Sequence, residues 1–459
     1  MHIYISMHII DKIESIHFIG IGGISMSSLA KLALSLGKKV SGSDASYSKT
    51  IVQLAEYGID AYIGSQPKKV QGVQLVVYSS AIPQNDAELR QALSLNIPTV
   101  ERYIFLAEVA SYYSKCIAVA GTHGKTTVTA MIAHLLKCAN YSFTAHIGGY
   151  ANGGLGNLYI TGKEYFITEA CEYKKSLLSL TPFISLVLNA EHDHPDTYEV
   201  VTEVYDTFAT FLGKTHSNGC KIVCADTAFY QNTLIGRQDI FTYGLGQSAL
   251  LQAVEIAEYK KGFYSFGVKH KGQIICNIAL SVIGEFNIYN ALAGVAVGIN
   301  LGIQPQVIGQ ALSNFSGVKR RFQQMGTING ADVYIDYAHH PREIDVMLRA
   351  VEKIKKTKLI VVFQPHTYTR TLSLINEFKE CFSCYDELYI VKSYSSREQP
   401  EQGMTALELY RNIAHKGGVQ YFDSIIELAT HLAHSCKSGD IVLILGAGDI
   451  DCLADLIID

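Results

Sequence analysis

A surplus of either charge is missing from this chain: 38 Lys and Arg stand against 42 Asp and Glu, a formal charge of −4 over 459 residues. That excludes a basic surface, and with it nucleic acid as the main partner. Any phosphate must therefore be held by local loops. Uninterrupted apolar runs of membrane length are missing too, which predicts no membrane partner. So are the basic start, long apolar block and small-residue cleavage site of a secretory leader. Their absence predicts a cytoplasmic protein with reduced thiols. The ten cysteines show no metal-ligand spacing. The single C-x-x-C, Cys381 and Cys384, lies in a helical apolar pattern with Phe378, Phe382 and Tyr385, and is read as core packing. There is no low-complexity tract and no short-period repeat. What is abundant is apolar material: 48% hydrophobic against 17% charged residues favours well-buried cores. The length suits about three domains at the usual ~150 residues each.

One stretch organises the rest. Cys116 to Ala120 is an apolar run of strand length ending in Gly121-Thr122-His123-Gly124, and Lys125-Thr126-Thr127 opens a helical pattern through Ala139. Glycines let backbone N–H groups converge on an anion with no Cβ in the way. The helix adds its positive end. Lys125 supplies a point charge for phosphate oxygens, and Thr126 a hydroxyl suited to Mg²⁺. The template G-x-x-x-x-G-K-S/T is met incompletely, because Val119 stands where the first glycine belongs and Gly121 sits three residues before Gly124. The bland reading is a strand-to-helix turn with a solvated lysine. Strand, turn and helix in template order put binding of a nucleoside triphosphate ahead of it.

Upstream, Ile16 to Ile19 meets Gly20-Ile21-Gly22-Gly23, a helical pattern follows to Gly37, and Lys39-Val40-Ser41-Gly42-Ser43-Asp44 ends in an acid. This nearly matches the dinucleotide fingerprint G-x-G-x-x-G, with Ser25 at the last glycine. A tight turn without a ligand remains the alternative. Val73 to Tyr78 runs into Ser79-Ser80-Ala81-Ile82. Strands alternating with helices imply parallel units that bind ligands at strand C-termini, so Gly20 to Gly23, Asp44 and Ser79 to Ile82 line one expected crevice.

Downstream, Gly148-Gly149 and Gly153-Gly154 read as a flexible patch. Tyr165 to Thr168 runs into Glu169-Ala170-Cys171-Glu172, and Ile184 to Leu188 into Asn189-Ala190-Glu191-His192-Asp193-His194-Pro195-Asp196. Carboxylates and histidine after two such strands suit Mg²⁺ and phosphate, with Glu169 and His194 as leading metal candidates. Residues 221–280 read as an antiparallel accessory sheet with a hairpin turn at Lys271-Gly272. Asn287 and Asn290 share one face of a helix's first turn, as cap or as ligand contact. Lys319-Arg320-Arg321 is either a solvated linker or an anion clamp. Four later strands end in polar clusters: Asp336 with His339-His340, Gln364 to Arg370, Ser395 to Glu398, and Gly446 to Asp449. This third segment has no phosphate loop of its own.

In combination, Gly20 to Met26, Gly121 to Thr127, Asp193 to Tyr198, Asn287 to Asn290, Gly317 to Phe322, His339-His340-Pro341 and Gly446 to Ile450 resemble the Mur ligase family over nearly the whole chain. The shifted loop glycine is that family's usual form. The resemblance implies an α/β protein of three domains: residues 1–113 for a UDP-sugar, 114–315 for ATP with an accessory antiparallel sheet, and a Rossmann-like 316–459 for an amino acid. It implies an ATP-dependent ligase joining L-alanine to the carboxylate of UDP-N-acetylmuramate through an acyl phosphate, in the cytoplasmic stage of peptidoglycan synthesis. The alternatives are a recycling ligase that adds a tripeptide, and a non-catalytic UDP-sugar-binding relative. An NAD-dependent oxidoreductase is the rival from another class, disfavoured by Ser25 and by the separate phosphate loop. By residue, the resemblance assigns Gly121, Thr122, His123, Gly124, Lys125, Thr126, Thr127, Asn287, Asn290 and Arg321 to ATP. Thr126, Glu169 and His194 would hold Mg²⁺. Gly20, Gly22, Gly23, Ser25, Asp44, Ser79, Ser80, His339, His366 and Arg370 would contact the other substrates. Lys125, His194, Arg321 and Asp336 would be catalytic. Phe286 and Thr367 depart from the family pattern, where His and often Arg stand.

Overall fold

The computed structural model describes residues 9–192, 197–395 and 398–458. Among the described residues three β-sheets follow one another. The first has the order Asp60–Ile63, Lys39–Asp44, Ser15–Ile19, Leu75–Tyr78, Thr99–Glu101, all parallel. Strand order reverses between Ser15–Ile19 and Leu75–Tyr78. An open parallel sheet places its ligand crevice at such a reversal, because the helices leaving the two strands pass to opposite faces. Gly20 to Gly23 and Ser79-Ser80 follow those two strands.

The second sheet is ten-stranded. At its centre Lys115–Ala120 lies between Tyr165–Ala170 and Ile184–Val187, parallel to both, with Ala120 level with Ala170 and Val187. All but one of its residues are buried, as expected of a parallel strand covered on both faces. The loop that leaves it is thereby flanked by Cys171-Glu172 on one side and Leu188-Asn189 on the other. The expected accessory sheet is not separate. Cys220–Cys224 and Ile240–Gly244 continue the parallel sheet, and Leu251–Lys260, Phe263–His270 and Gln273–Ala279 extend it to the edge. Two-residue connections between these last strands require antiparallel pairing. Lys271 and Gly272 both take positive φ, 50° and 83°, as the predicted tight hairpin demands. Gly148-Gly149 also differ from expectation: they lie inside strand Phe143–Ala151, not in a flexible patch.

The third sheet orders Gln323–Ile328, Ala331–Asp336, Ile441–Leu445, Leu359–Phe363, Glu387–Val391 and Val419–Phe422, parallel except for the first hairpin. By packing, the chain forms two compact units. One comprises the chain up to Ile256 with Phe266–Leu280 and Phe286–Ser316; the other comprises Ala257–Ser265, Ser281–Glu285 and the chain from Gly317. The first sheet and most of the second therefore share a unit, while the third sheet and the hairpin end at Ala257–Ser265 belong to the other. Cys381 closes helix Ile375–Cys381 and is buried, whereas Cys384 lies beyond that helix.

Candidate active site

The turn after Lys115–Ala120 has the conformation glycine permits. Gly121 has φ 147° and Gly124 φ 85°, and helix Lys125–Cys138 begins directly behind them. A Cβ at Gly124 would meet Asn290 Oδ1 at 2.8 Å, so the loop and the helix Phe286–Asn300 are in close apposition there. Asn290 Nδ2 donates to Asn287 Oδ1 at 2.8 Å, and both residues are buried. The two asparagines thus act as one unit beside the loop. Asn189 holds the loop's other flank: its Oδ1 accepts from His123 N at 2.8 Å and its Nδ2 donates to His123 O at 3.1 Å. Thr122 Oγ1 accepts from Glu191 N at 2.9 Å, and His123 Nε2 lies 3.5 Å from Glu191 Oε2.

Lys125 folds back over its own loop. Its Nζ reaches the carbonyls of Gly121 and Thr122 and sits 2.9 Å from Glu172 Oε2. Burial alone would depress the ammonium; the charge of Glu172, with Cys171 and Glu169, outweighs it and raises its pKa. Next to it, Glu169 Oε1 accepts from Gly148 N at 2.7 Å. Thr126 is buried at the start of the helix, and Thr127 follows it. Beyond Glu172 the chain bends sharply, with Lys174 and Lys175 both at positive φ. The metal candidate His194 and its neighbours Asp193, Pro195 and Asp196 lie outside the described residues.

In the first sheet, Gly20 has φ 84°, and Gly22 N donates to Asp44 Oδ2 at 2.9 Å. Gly23 caps helix Ile24–Ser35 without a side-chain bond. Asp44 thus closes the glycine turn. Ser79 and Ser80 follow Leu75–Tyr78, half-buried and exposed respectively. Ser25 Oγ is bonded to His146 Nε2 at 2.9 Å and accepts from Arg102 Nη1 at 3.2 Å.

The second unit gathers its own cluster. Arg370 Nη1 donates to His366 Nδ1 at 3.3 Å; the His339 and His366 rings are 5.7 Å apart, and Tyr394 stacks on His366. Burial, with the charges of His339, Arg370 and Arg320, pushes His366 down to about 3. Burial likewise lowers His339, against Glu343. Both imidazoles are neutral at pH 7. Arg320 donates to the carbonyls of Gly446 and Gly448, while it and Arg321 each lie 5.1 Å from the Tyr337 ring. Thr367 holds φ 67° and ψ 144°, a conformation costly for a β-branched residue.

Asp336 is a structural knot. It is buried, and its two oxygens accept from Phe322 N and Ala338 N, each at 2.7 Å. Burial pushes its pKa up to about 6 despite Arg321 and both N–H groups. A carboxyl whose folded pKa lies above its unfolded value of about 3.9 stabilises most below that value. Its contribution is lost as pH rises through about 6. Urea midpoints of the native protein should therefore fall between about pH 4 and pH 6.5 relative to those of Asp336→Asn. Parallel profiles would contradict a raised pKa.

Three family models match consecutive segments: the Mur ligase family catalytic domain at residues 15–114, the Mur ligase middle domain at 119–298, and the Mur ligase glutamate ligase domain at 320–448. A UDP-N-acetylmuramate–L-alanine ligase of Caldanaerobacter subterraneus subsp. tengcongensis is 37% identical over 446 residues, covering 96% of both chains. The chain belongs to the Mur ligase family. The corresponding ligase of Clostridium beijerinckii is 39% identical over 445 residues, again 96% of each chain. Among solved structures, a UDP-N-acetylmuramate–alanine ligase from Thermotoga maritima superposes with TM-score 0.82 at 25% identity, covering 96% of this chain and 97% of its own. A murein peptide ligase from Psychrobacter arcticus gives 0.74 at 26% identity, covering 97% and 98%.

Mur ligases are ATP-dependent ligases. The glycine loop's shape, the ammonium of Lys125 and the paired asparagines all suit a triphosphate. For Mg²⁺ the donors also fit: a buried threonine hydroxyl, and a carboxylate with only one oxygen held by Gly148. Among the described residues no group of three or more His, Cys, Asp or Glu forms a metal cage. Mg²⁺ does not require one, since it keeps several waters and takes phosphate oxygens. Motif reading left Glu172, Asn189 and His146 without roles and took Gly148 for part of a flexible patch. Glu172 and Asn189 did stand directly behind strands flanking the loop, which was the available signal.

Proposed function

We propose that this Mur ligase joins L-alanine to the carboxylate of UDP-N-acetylmuramate, with ATP converted to ADP and phosphate. The observation that carries the reading is the Lys125 loop between Glu172 and Asn189. It is supported by relatives named for this activity at 37–39% identity over 96% of the chain. The γ-phosphoryl group passes to the sugar's carboxylate, and the neutral amine of alanine then displaces phosphate and loses a proton. An oxide ion is too poor a leaving group for direct amide formation, hence the acyl phosphate. Lys125 moves from Glu172 to the β- and γ-phosphates and offsets their charge as it builds. Thr126, Glu169 and His194 would hold Mg²⁺, which would supply further charge neutralisation at the phosphates.

Gly20 to Gly23, Ser25, Asp44, Ser79 and Ser80 serve the UDP-sugar; His339, His366 and Arg370 serve the amino acid. The neutral imidazoles leave Arg370 as the cluster's partner for a carboxylate. Assignment of Arg321 to ATP rests on the family resemblance, as do the limits 1–113, 114–315 and 316–459 and a cytoplasmic location. No helix among the described residues is long and apolar enough to cross a membrane. A second reading, attachment of a tripeptide, is favoured by the match to the murein peptide ligase. Phosphate release should require UDP-N-acetylmuramate, ATP, Mg²⁺ and L-alanine together. Release only with the tripeptide selects the second reading, and absence of release with either acceptor rejects both.

A further inference from the structure

One buried histidine is tied at both ring nitrogens to two different sheets. His146 lies in strand Phe143–Ala151 and is almost fully buried. Its Nε2 is 2.9 Å from Ser25 Oγ, two residues beyond the first sheet's glycine turn. Its Nδ1 is 3.0 Å from Thr168 Oγ1, the residue before Glu169. Two residues along the same strand, Gly148 N holds Glu169 Oε1 at 2.7 Å. Arg102, which opens the helix after the first sheet's last strand, donates to Ser25 Oγ at 3.2 Å. Asn157 adds a parallel tie nearby, donating to Ile24 O at 2.9 Å and to Ser27 Oγ at 3.2 Å. The helix behind the sugar turn and the strand behind the metal carboxylate are thus joined through one imidazole.

We propose that His146 is a positioning residue that sets the UDP-sugar turn and the Glu169 carboxylate in register, so that the acceptor carboxylate and the metal-bound phosphate meet at the right spacing. The inference rests on the reading of the first turn as the UDP-sugar site and of Glu169 as a metal ligand. The physical requirement is a group that donates at one end and accepts at the other, about the width of an imidazole. Burial and the Arg102 charge hold this imidazole at about 3, against a hydrogen bond to the Ser25 backbone, so it stays neutral and offers one donor and one acceptor. A carboxamide offers the same pair; an aliphatic side chain offers neither.

The test compares His146→Leu and His146→Gln on the full chain by steady-state kinetics and by calorimetric titration of UDP-N-acetylmuramate and of Mg²⁺ without turnover. In His146→Leu, KM for UDP-N-acetylmuramate and half-saturating Mg²⁺ should each rise about fivefold or more, the change expected from losing one net hydrogen bond at each end. KM for L-alanine should stay within about twofold, and His146→Gln should restore both affected constants. Thr168→Val cuts the Nδ1 end only, guards against poor folding of the leucine variant, and should add nothing further on top of it. The proposal is overturned if only one constant moves, if L-alanine is weakened equally, or if His146→Gln behaves like His146→Leu. Failure of the substrate reading itself is separate, because native protein would then show no alanine-dependent phosphate release.

Discussion

Turnover falls by about a thousandfold or more when Lys125 is replaced by alanine, and the protein also becomes less stable. The first effect follows from removing the one cation of the glycine loop. Donors aimed at developing charge in a water-poor site are each worth about 10²–10³ in kcat, and an ammonium on a transferring phosphoryl group is at the upper end. The second follows from Glu172. Its side chain is only 3% exposed and pairs with Lys125 at 2.9 Å. Removing one partner of a buried pair leaves an uncompensated charge, at about 3–5 kcal/mol. Lys125→Ala combined with Glu172→Gln separates the two effects: it should recover most of the lost thermal midpoint and none of the turnover. Near-normal turnover in Lys125→Ala would sink the phosphate-loop assignment. An unchanged midpoint would sink the pairing.

Replacing Gly148 with alanine should raise half-saturating Mg²⁺ by about 10- to 100-fold, the range seen when a ligand's outer support is lost. The backbone at Gly148 is not in the left-handed region, so a side chain is not excluded by conformation. What excludes it is Glu169: a Cβ would lie 2.8 Å from its Cδ and 2.9 Å from its Oε2. The carboxylate would have to swing away and give up the 2.7 Å bond from the Gly148 N–H. Strand pairing through Phe143 to His146 should hold, leaving the thermal midpoint little changed. Mg²⁺ titration of phosphate release reads the effect directly. An unaltered Mg²⁺ dependence would remove Glu169 from the metal site.

Both predictions concern residues whose importance was unequally visible in the sequence. Lys125 stood out because loop, strand and helix form one local pattern, and local patterns are set by backbone preference and side-chain period. Gly148 was misread: glycine pairs usually mark flexible turns, and here the glycine instead makes room for a carboxylate arriving from a neighbouring strand. The same limit explains the edge of the second sheet. Alternating runs announced strands within 221–280, yet the pattern could not show that the first of them, Cys220–Cys224 and Ile240–Gly244, pair parallel and join the rest to the central sheet. The bonds that Asp336 accepts from the backbone of Phe322 and Ala338 were equally invisible in the sequence.

By itself, the sequence determined the succession of parallel strands, the polar clusters at their ends, and a glycine loop whose first glycine lies closer to Gly124 than the general phosphate-loop template asks. Each of these is encoded within some ten or twenty residues. Tertiary structure alone decided that Lys125 rests on Glu172, 47 residues away, and that Ser25 meets His146, 121 residues away. Such pairings depend on strand order and register. Those are chosen by the burial of whole sheets, and no local stretch of residues carries that information.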